Sequence, residues 1–307
     1  MVSILNASHL QFLNNLNHTQ SLLSQVQGQI SSGLAVNTPS DAPDQVSAIL
    51  QLHSDIQQNE KLTQNLTQVQ GQVQTADSNL SSGITLLDQV MSLATGALST
   101  SSTAATRATM ADQVATLMQQ MVGISNTAVN GKYIFSGDNG GSPSYSYNAS
   151  SPTGVDRLQV SGSTQQAQDG SGGSFSIGLS ANQIFDARDS SDNPTQGNVF
   201  KAMNDVRTAL LNNDTTGLQT ALSSVQGASA YLNQQQGFYG SVENRLTSAL
   251  DQASSQNISL QADLSSRQDV DETKAILEMQ QYTVTLQAAI AAESKMPTTT
   301  LFNDLPA

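Results

Sequence analysis

From Leu5 the chain repeats a step of four and then three residues through His9, Phe12, Leu16, Thr19, Leu23, Val26, Ile30 and Gly33, mostly apolar. A seven-residue repeat of this kind puts a slowly drifting apolar seam on an α-helix and predicts left-handed winding against a partner. The polar positions His9 and Thr19 weaken such a seam but can fix its register. The helix should stop in SSGLAVNTPSDAP, where Gly33, Pro39 and Pro43 punctuate a loop.

A companion is found at the other end of the sequence, in Asp269–Ala292. Here the apolar residues form two sets, Val270, Leu277, Val284, Ala288 and Ala291, and Ile276, Met279, Leu286 and Ile290. A surface helix needs one stripe, so two stripes suit a helix gripped by two partners; a helix buried all round in a core would carry the same two sets. Asp269 and Glu272 are the expected N-cap and reciprocal acid, Asp271 is favourable near the positive helix end, and Pro297 is the expected stop.

Between these ends a second helix is expected from Asp44 to Thr100, opening on Ile49, Leu52 and Ile56 and continuing on Leu62, Leu66, Val69, Val73, Ala76, Leu80, Gly83, Leu87, Val90, Ala94 and Ala97. The slip between Ile56 and Leu62 reads as a stammer. A third helix follows on Met110, Val114, Leu117, Met121, Ile124 and Ala128. NGKYIFSGDNGG then brings a turn dipeptide, β-prone residues and glycines, and short alternating segments run to Asn193. Helical pattern resumes at Gln196, QQQGFYGS interrupts it, and a last run leads from Val242 into the terminal helix. The expected fold is mainly α, a long coiled-coil rod formed by both termini with a small β-rich insert. Its expected parts are an assembly domain (1–43 and 265–307), a helical rod domain (44–130 and 196–264) and the insert (131–195).

Composition narrows the function. Charged residues are 11% of the 307, and the net charge of -13 leaves eleven scattered Lys and Arg, so no nucleic-acid partner is expected. Cysteine is absent, which removes thiolate chemistry, and no apolar run is long enough to span a membrane. Lys61 is the first basic residue, so the expectation is a cytoplasmic chain or one exported by a route that reads no ordinary leader. His9, His18 and His53 lack metal-ligand spacing, the glycine clusters lack the lysine of a phosphate loop, and Asp269, Asp271 and Glu272 suit helix capping better than a cation. No cofactor, metal or catalytic residue is expected.

Two stretches carry a resemblance. Ser31, Ser32, Gly33, Asn37, Ser40, Asp41 and Pro43 in the N-terminal loop, and Arg267, Asp269 and Asp271 in SSRQDVDE, make the chain resemble the flagellin family. NGKYIFSGD and QQGFYGSVENRL place the likeness with the branch that joins hook to filament. The Asp41-Ala42-Pro43 run departs from the two acids usual there, and no arginine precedes Ser31 as it often does in flagellin. The resemblance implies a structural, non-enzymatic role, with the first hook-associated protein and flagellin as neighbours and an export chaperone before secretion. It also implies self-assembly into a ring or short helical layer and delivery through the flagellar export apparatus to the extracellular flagellum. The assembly contacts are expected on Leu5, Phe12, Leu16, Leu23, Val26, Ile30, Val270, Ile276, Leu277, Met279, Val284, Leu286 and Ile290. A minor flagellin is the alternative within the family, and a soluble coiled-coil adhesin or sensor module is the alternative outside it.

Overall fold

The computed structural model describes residues 2–170 and 172–294, with side chains from residue 9 onward. Leu5 lies outside the described side chains, and Pro297 lies outside the described residues. The described residues up to Gln58 and those from Gln256 onward form one compact unit, and Asn59–Ser255 form another.

Helices α1 (Val2–Ser32), α2 (Val46–Ala97) and α3 (Ala104–Ser125) precede the β segment. There β1 (Ala128–Val129) pairs with β2 (Lys132–Tyr133), β3 (Tyr145–Tyr147) with β4 (Val155–Arg157), β5 (Gln166–Gln168) with β6 (Ser174–Ser176), and β7 (Asp186–Arg188) with β8 (Pro194–Asn198). All four pairs are antiparallel. The one-turn α4 (Ala181–Ile184) precedes β7, and α5 (Val199–Leu211), α6 (Thr215–Gln268) and α7 (Glu272–Glu293) complete the chain. The mainly α reading with long helices at both ends and a small β insert holds.

The core of the second unit follows from the seams. Leu66, Val73, Ala76, Leu80, Leu87, Val90, Ala94 and Ala97 of α2 are buried, as the three-four alternation requires. They share a core with Val114, Met118 and Met121 of α3, Phe200, Met203 and Val206 of α5, and Leu218, Val225, Leu232 and Leu246 of α6. At Gly83 the helices come so close that a Cβ would stand 3.2 Å from Leu232 and 3.5 Å from the Met121 sulfur. The β segment is joined to this core by aromatic rings: Phe135 meets Phe185 edge-on at 5.6 Å, and Tyr145 lies 4.8 Å from Phe200.

A charged centre joins two of the strand pairs. Asp186, buried on β7, accepts from Arg188 Nε at 2.9 Å, Asn198 Nδ2 at 2.5 Å and the Tyr145 hydroxyl at 3.3 Å, with Arg157 Nε at 3.5 Å. Burial, reinforced by the Asp186 carboxylate, pushes the Tyr145 phenol well above its ordinary pKa.

Four expectations are corrected. The α2 seam does not slip after Ile56: it runs on through buried Asn59 and half-buried Thr63 to Leu66, and Thr63 satisfies its hydroxyl on the Asn59 carbonyl at 3.0 Å. QQQGFYGS does not interrupt α6, which is continuous for 54 residues. Gly237 and Gly240 each cost about 1 kcal/mol in a helix, but between them Tyr239 is buried, its ring 6.4 Å from Phe135 and its hydroxyl accepting from the Leu179 amide at 3.2 Å. Burial of an aromatic side chain contributes about 1.5–3 kcal/mol, enough to offset them. Gln196 lies in β8, and α5 starts at Val199 because the Asn198 side chain accepts from the Lys201 amide at 2.9 Å; Ala128 likewise belongs to β1, not to α3.

Candidate assembly interface

No Asp, Glu, Lys or Arg precedes Asp41, so α1 is uncharged throughout. Its inward line is the heptad line: Phe12, Leu16, Thr19, Leu23 and Ile30 are half-buried and Val26 is 5% exposed. Thr19 bonds back to the Asn15 carbonyl at 2.9 Å, which explains how a hydroxyl is tolerated there. His9 is exposed and does not enter the seam, and His18 and His53 are exposed too.

The helix closes at Gly33, whose φ of +75° suits a residue without Cβ and whose amide reaches the Gln29 carbonyl at 2.9 Å. Ser32 Oγ accepts from the Leu34 amide at 3.2 Å, and Asn37 Nδ2 donates to the Leu34 carbonyl at 3.1 Å. Asp41 Oδ2 accepts from the Thr38 amide at 2.7 Å and the Asn37 amide at 3.0 Å. The Thr38 amide first, and Asn37 with it, hold the Asp41 carboxyl below the usual range. Pro43 is exposed in the turn that opens α2.

This loop is stitched to the α6–α7 hinge. Leu34 and Asp269 form an antiparallel bridge in which the Ala35 amide donates to the Gln268 carbonyl at 2.7 Å and the Val270 amide to the Gly33 carbonyl at 3.0 Å. Gln29 Nε2 reinforces it by donating to the Ala35 carbonyl at 2.9 Å. The two stretches that resemble one family thus meet in one knot. Because Asp269 is extended in the bridge and accepts from the Ser265 hydroxyl, it is not the N-cap of the terminal helix. Asp271 takes that place, accepting from the Lys274 amide at 3.1 Å, and Glu272 is the first helical residue. Arg267 is exposed without a side-chain partner among the described residues. Neither here nor elsewhere do the described residues gather three or more His, Cys, Asp or Glu that could hold a metal, and no described helix is long and apolar enough to cross a membrane.

From the knot α1 and α7 run antiparallel and pack on each other. The α7 face that is turned inward carries Ala275, 3% exposed, with half-buried Met279, Tyr282, Leu286 and Ala289. The sequence hides this four-three line, because two of its members are alanines and one is a tyrosine. The division into two stripes shifts accordingly: Met279 and Leu286 turn inward, Leu277 and Val284 point outward at 61 and 64% exposure, and Ile276 and Ile290, at 41 and 53%, stay accessible on the flank. Val270, beside the bridge, is half-buried. Leu277 lies about 180° and Val284 about 160° around the helix from Leu286, opposite the intramolecular contact, whereas Ile276 and Ile290 lie about 80° and about 40° from Leu286 and flank it.

Comparison with known proteins gives this arrangement a family. A comparison with curated proteins finds no match. Among solved structures, the fold is similar to that of Bacillus cereus FlgL (17% identity, 71% of this chain and 100% of that one, TM-score 0.56). It is similar also to Xanthomonas campestris FlgL (15%, 69% and 98%, TM-score 0.58) and to the flagellar junction protein FlgL of Legionella pneumophila (13%, 74% and 100%, TM-score 0.55). The family model of the bacterial flagellin N-terminal helical region matches residues 4–140, and that of the C-terminal helical region matches residues 222–303. With both helical regions matched over well more than half of its length, the chain belongs to the flagellin family.

Proposed function

We propose that the protein is a structural adaptor of the bacterial flagellum that joins the hook-associated ring to the flagellin filament through its terminal helices. The observation that carries this reading is the outward apolar pair of α7, Leu277 and Val284, with exposed Ile276 and Ile290 on the flank of the inward face, beside a helix α1 without a single charge. A carboxylate or ammonium in a dry contact costs far more than an apolar side chain or a hydrogen-bonded amide, so such a pair suits close packing among copies. The inward set of Phe12, Leu16, Leu23, Val26, Ile30, Met279 and Leu286 holds the pair together, and Val270 extends it beside the bridge.

Membership of the flagellin family supports a structural, non-enzymatic role, and the likeness to a flagellar junction protein favours the junction over the filament. In this reading the first hook-associated protein lies on one side and flagellin on the other, and copies form a ring or short helical layer. A cytoplasmic chaperone holds the chain until the flagellar export apparatus delivers it outside.

Electron microscopy of cells lacking the chain tests this. Hooks should remain while filaments are shed into the medium, and the intact chain should restore attached filaments. Purified chain that polymerises alone into long fibres would instead make it a filament subunit.

A further inference from the structure

The sequence contains two Asn-Gly pairs, Asn130-Gly131 and Asn139-Gly140. In such a pair the glycine nitrogen can attack the asparagine Cγ. The new N–Cγ bond closes a succinimide, the Cγ–Nδ2 bond breaks, and the side-chain nitrogen leaves as ammonia with the glycine amide proton. Water then opens the ring to aspartate or to isoaspartate, whose main chain runs through the side-chain carbon. Glycine favours the attack because no Cβ shields its nitrogen or restricts its rotation.

The two pairs differ in what holds them. Asn130 and Gly131, with φ of 53° and 76°, are the two-residue loop between paired Val129 and Lys132, and both are exposed. The Asn130 side chain has no hydrogen bond among the described residues, and the hairpin has two residue pairs, so its opening costs little. Asn139 is tied down: its carboxamide donates to Gln159 Oε1, Gln159 Nε2 donates to its carbonyl at 3.2 Å, and its own amide reaches Ser136 at 3.3 Å.

We propose that Asn130 is a site of spontaneous deamidation and isoaspartate formation, while Asn139, the same dipeptide nearby, is protected by its hydrogen bonds. The consequence is structural. Isoaspartate adds a main-chain carbon to a loop that has room for two residues, so the Ala128–Tyr133 pairing and the bond from the Tyr133 amide to the Gly140 carbonyl at 2.9 Å would be lost.

The test is to hold the purified full chain at 37 °C and mildly alkaline pH, then map conversion by peptide mass and by enzymatic methylation of isoaspartate. Asn130 should convert at least about two- to tenfold faster than Asn139, the factor that one hydrogen bond supplies. Unfolding in denaturant should equalise the two rates. Gln159→Ala should accelerate Asn139 alone, and Asn130→Gln should remove the fast product. Equal rates in the folded chain, or Asn139 converting first, would overturn the proposal, as would Asn130 remaining intact while the denatured chain reacts.

Discussion

The Ala35 amide donates to the Gln268 carbonyl at 2.7 Å, and this contact joins the loop after α1 to the last residue of α6. It fixes where α1 and α7 begin to pack. Ala35→Pro removes the donor while leaving Leu34 in the extended conformation that precedes proline. The expected cost is about 0.5–1.5 kcal/mol, read by hydrogen exchange as faster opening at the Val270 amide, which bonds the Gly33 carbonyl. Unchanged protection at Val270 would mean that helix packing alone sets the hinge.

The same knot has a titratable member. The Thr38 and Asn37 amides lower the Asp41 pKa in the folded chain, so its contribution is fully present above the ordinary carboxylate value of about 3.9 and fades as pH falls through the lowered folded value. Carbon-detected NMR should place the Asp41 midpoint below those of exposed Asp residues without partners. Asp41→Asn should keep most of the loop but abolish this acid-side change, and a midpoint at the ordinary value would refute the assignment.

In the insert, Asp186 is the negative partner shared by Arg157 and Arg188. Asp186→Ala leaves two guanidinium groups without it and strands the Tyr145 hydroxyl, so a loss of about 3–5 kcal/mol is expected. Thermal melts should show the loss, with Tyr145 reporting locally through near-ultraviolet dichroism. A drop under 1 kcal/mol would show that Asp192, which also contacts both arginines, takes over the role.

Helix seams were legible in the sequence because burial imposes the period directly, as in α1 from Phe12 to Ile30 and in α2 from Leu66 to Ala97. The reading faltered where side-chain type hides the role of a position. Asn59 keeps the α2 heptad although it is polar, Ala275 and Ala289 carry the α7 contact although they are small, and Gly237 sits inside α6 because Tyr239 anchors the next turn. The knot was half visible: its loop residues stood out, but that Asp269 pairs with Leu34 is a contact between distant segments that no local pattern encodes. The short strands of the insert are held by cross-contacts such as Asn126 Nδ2 to the Tyr145 carbonyl at 2.7 Å, again invisible to periodicity.

The two faces of α7 should respond oppositely to charge. Leu286 is half-buried toward α1, so Leu286→Asp puts a carboxylate into the intramolecular seam and should destabilise the α1–α7 pair by about 1–3 kcal/mol. Leu277 and Val284 are exposed, so Leu277→Asp and Val284→Asp should leave the isolated chain within about 0.5 kcal/mol of the original. In the assembled flagellum the order changes, because the outward line is the one offered to neighbours and its burial there desolvates the new charge in every copy. Circular dichroism and hydrogen exchange on the purified variants give the first comparison, and filament retention with swimming in complemented cells gives the second. Cells carrying Leu277→Asp and Val284→Asp together should form hooks and shed filaments although the purified protein folds normally. Normal swimming with both charges in place would make the outward line a solvated face and leave the adaptor without its proposed contact.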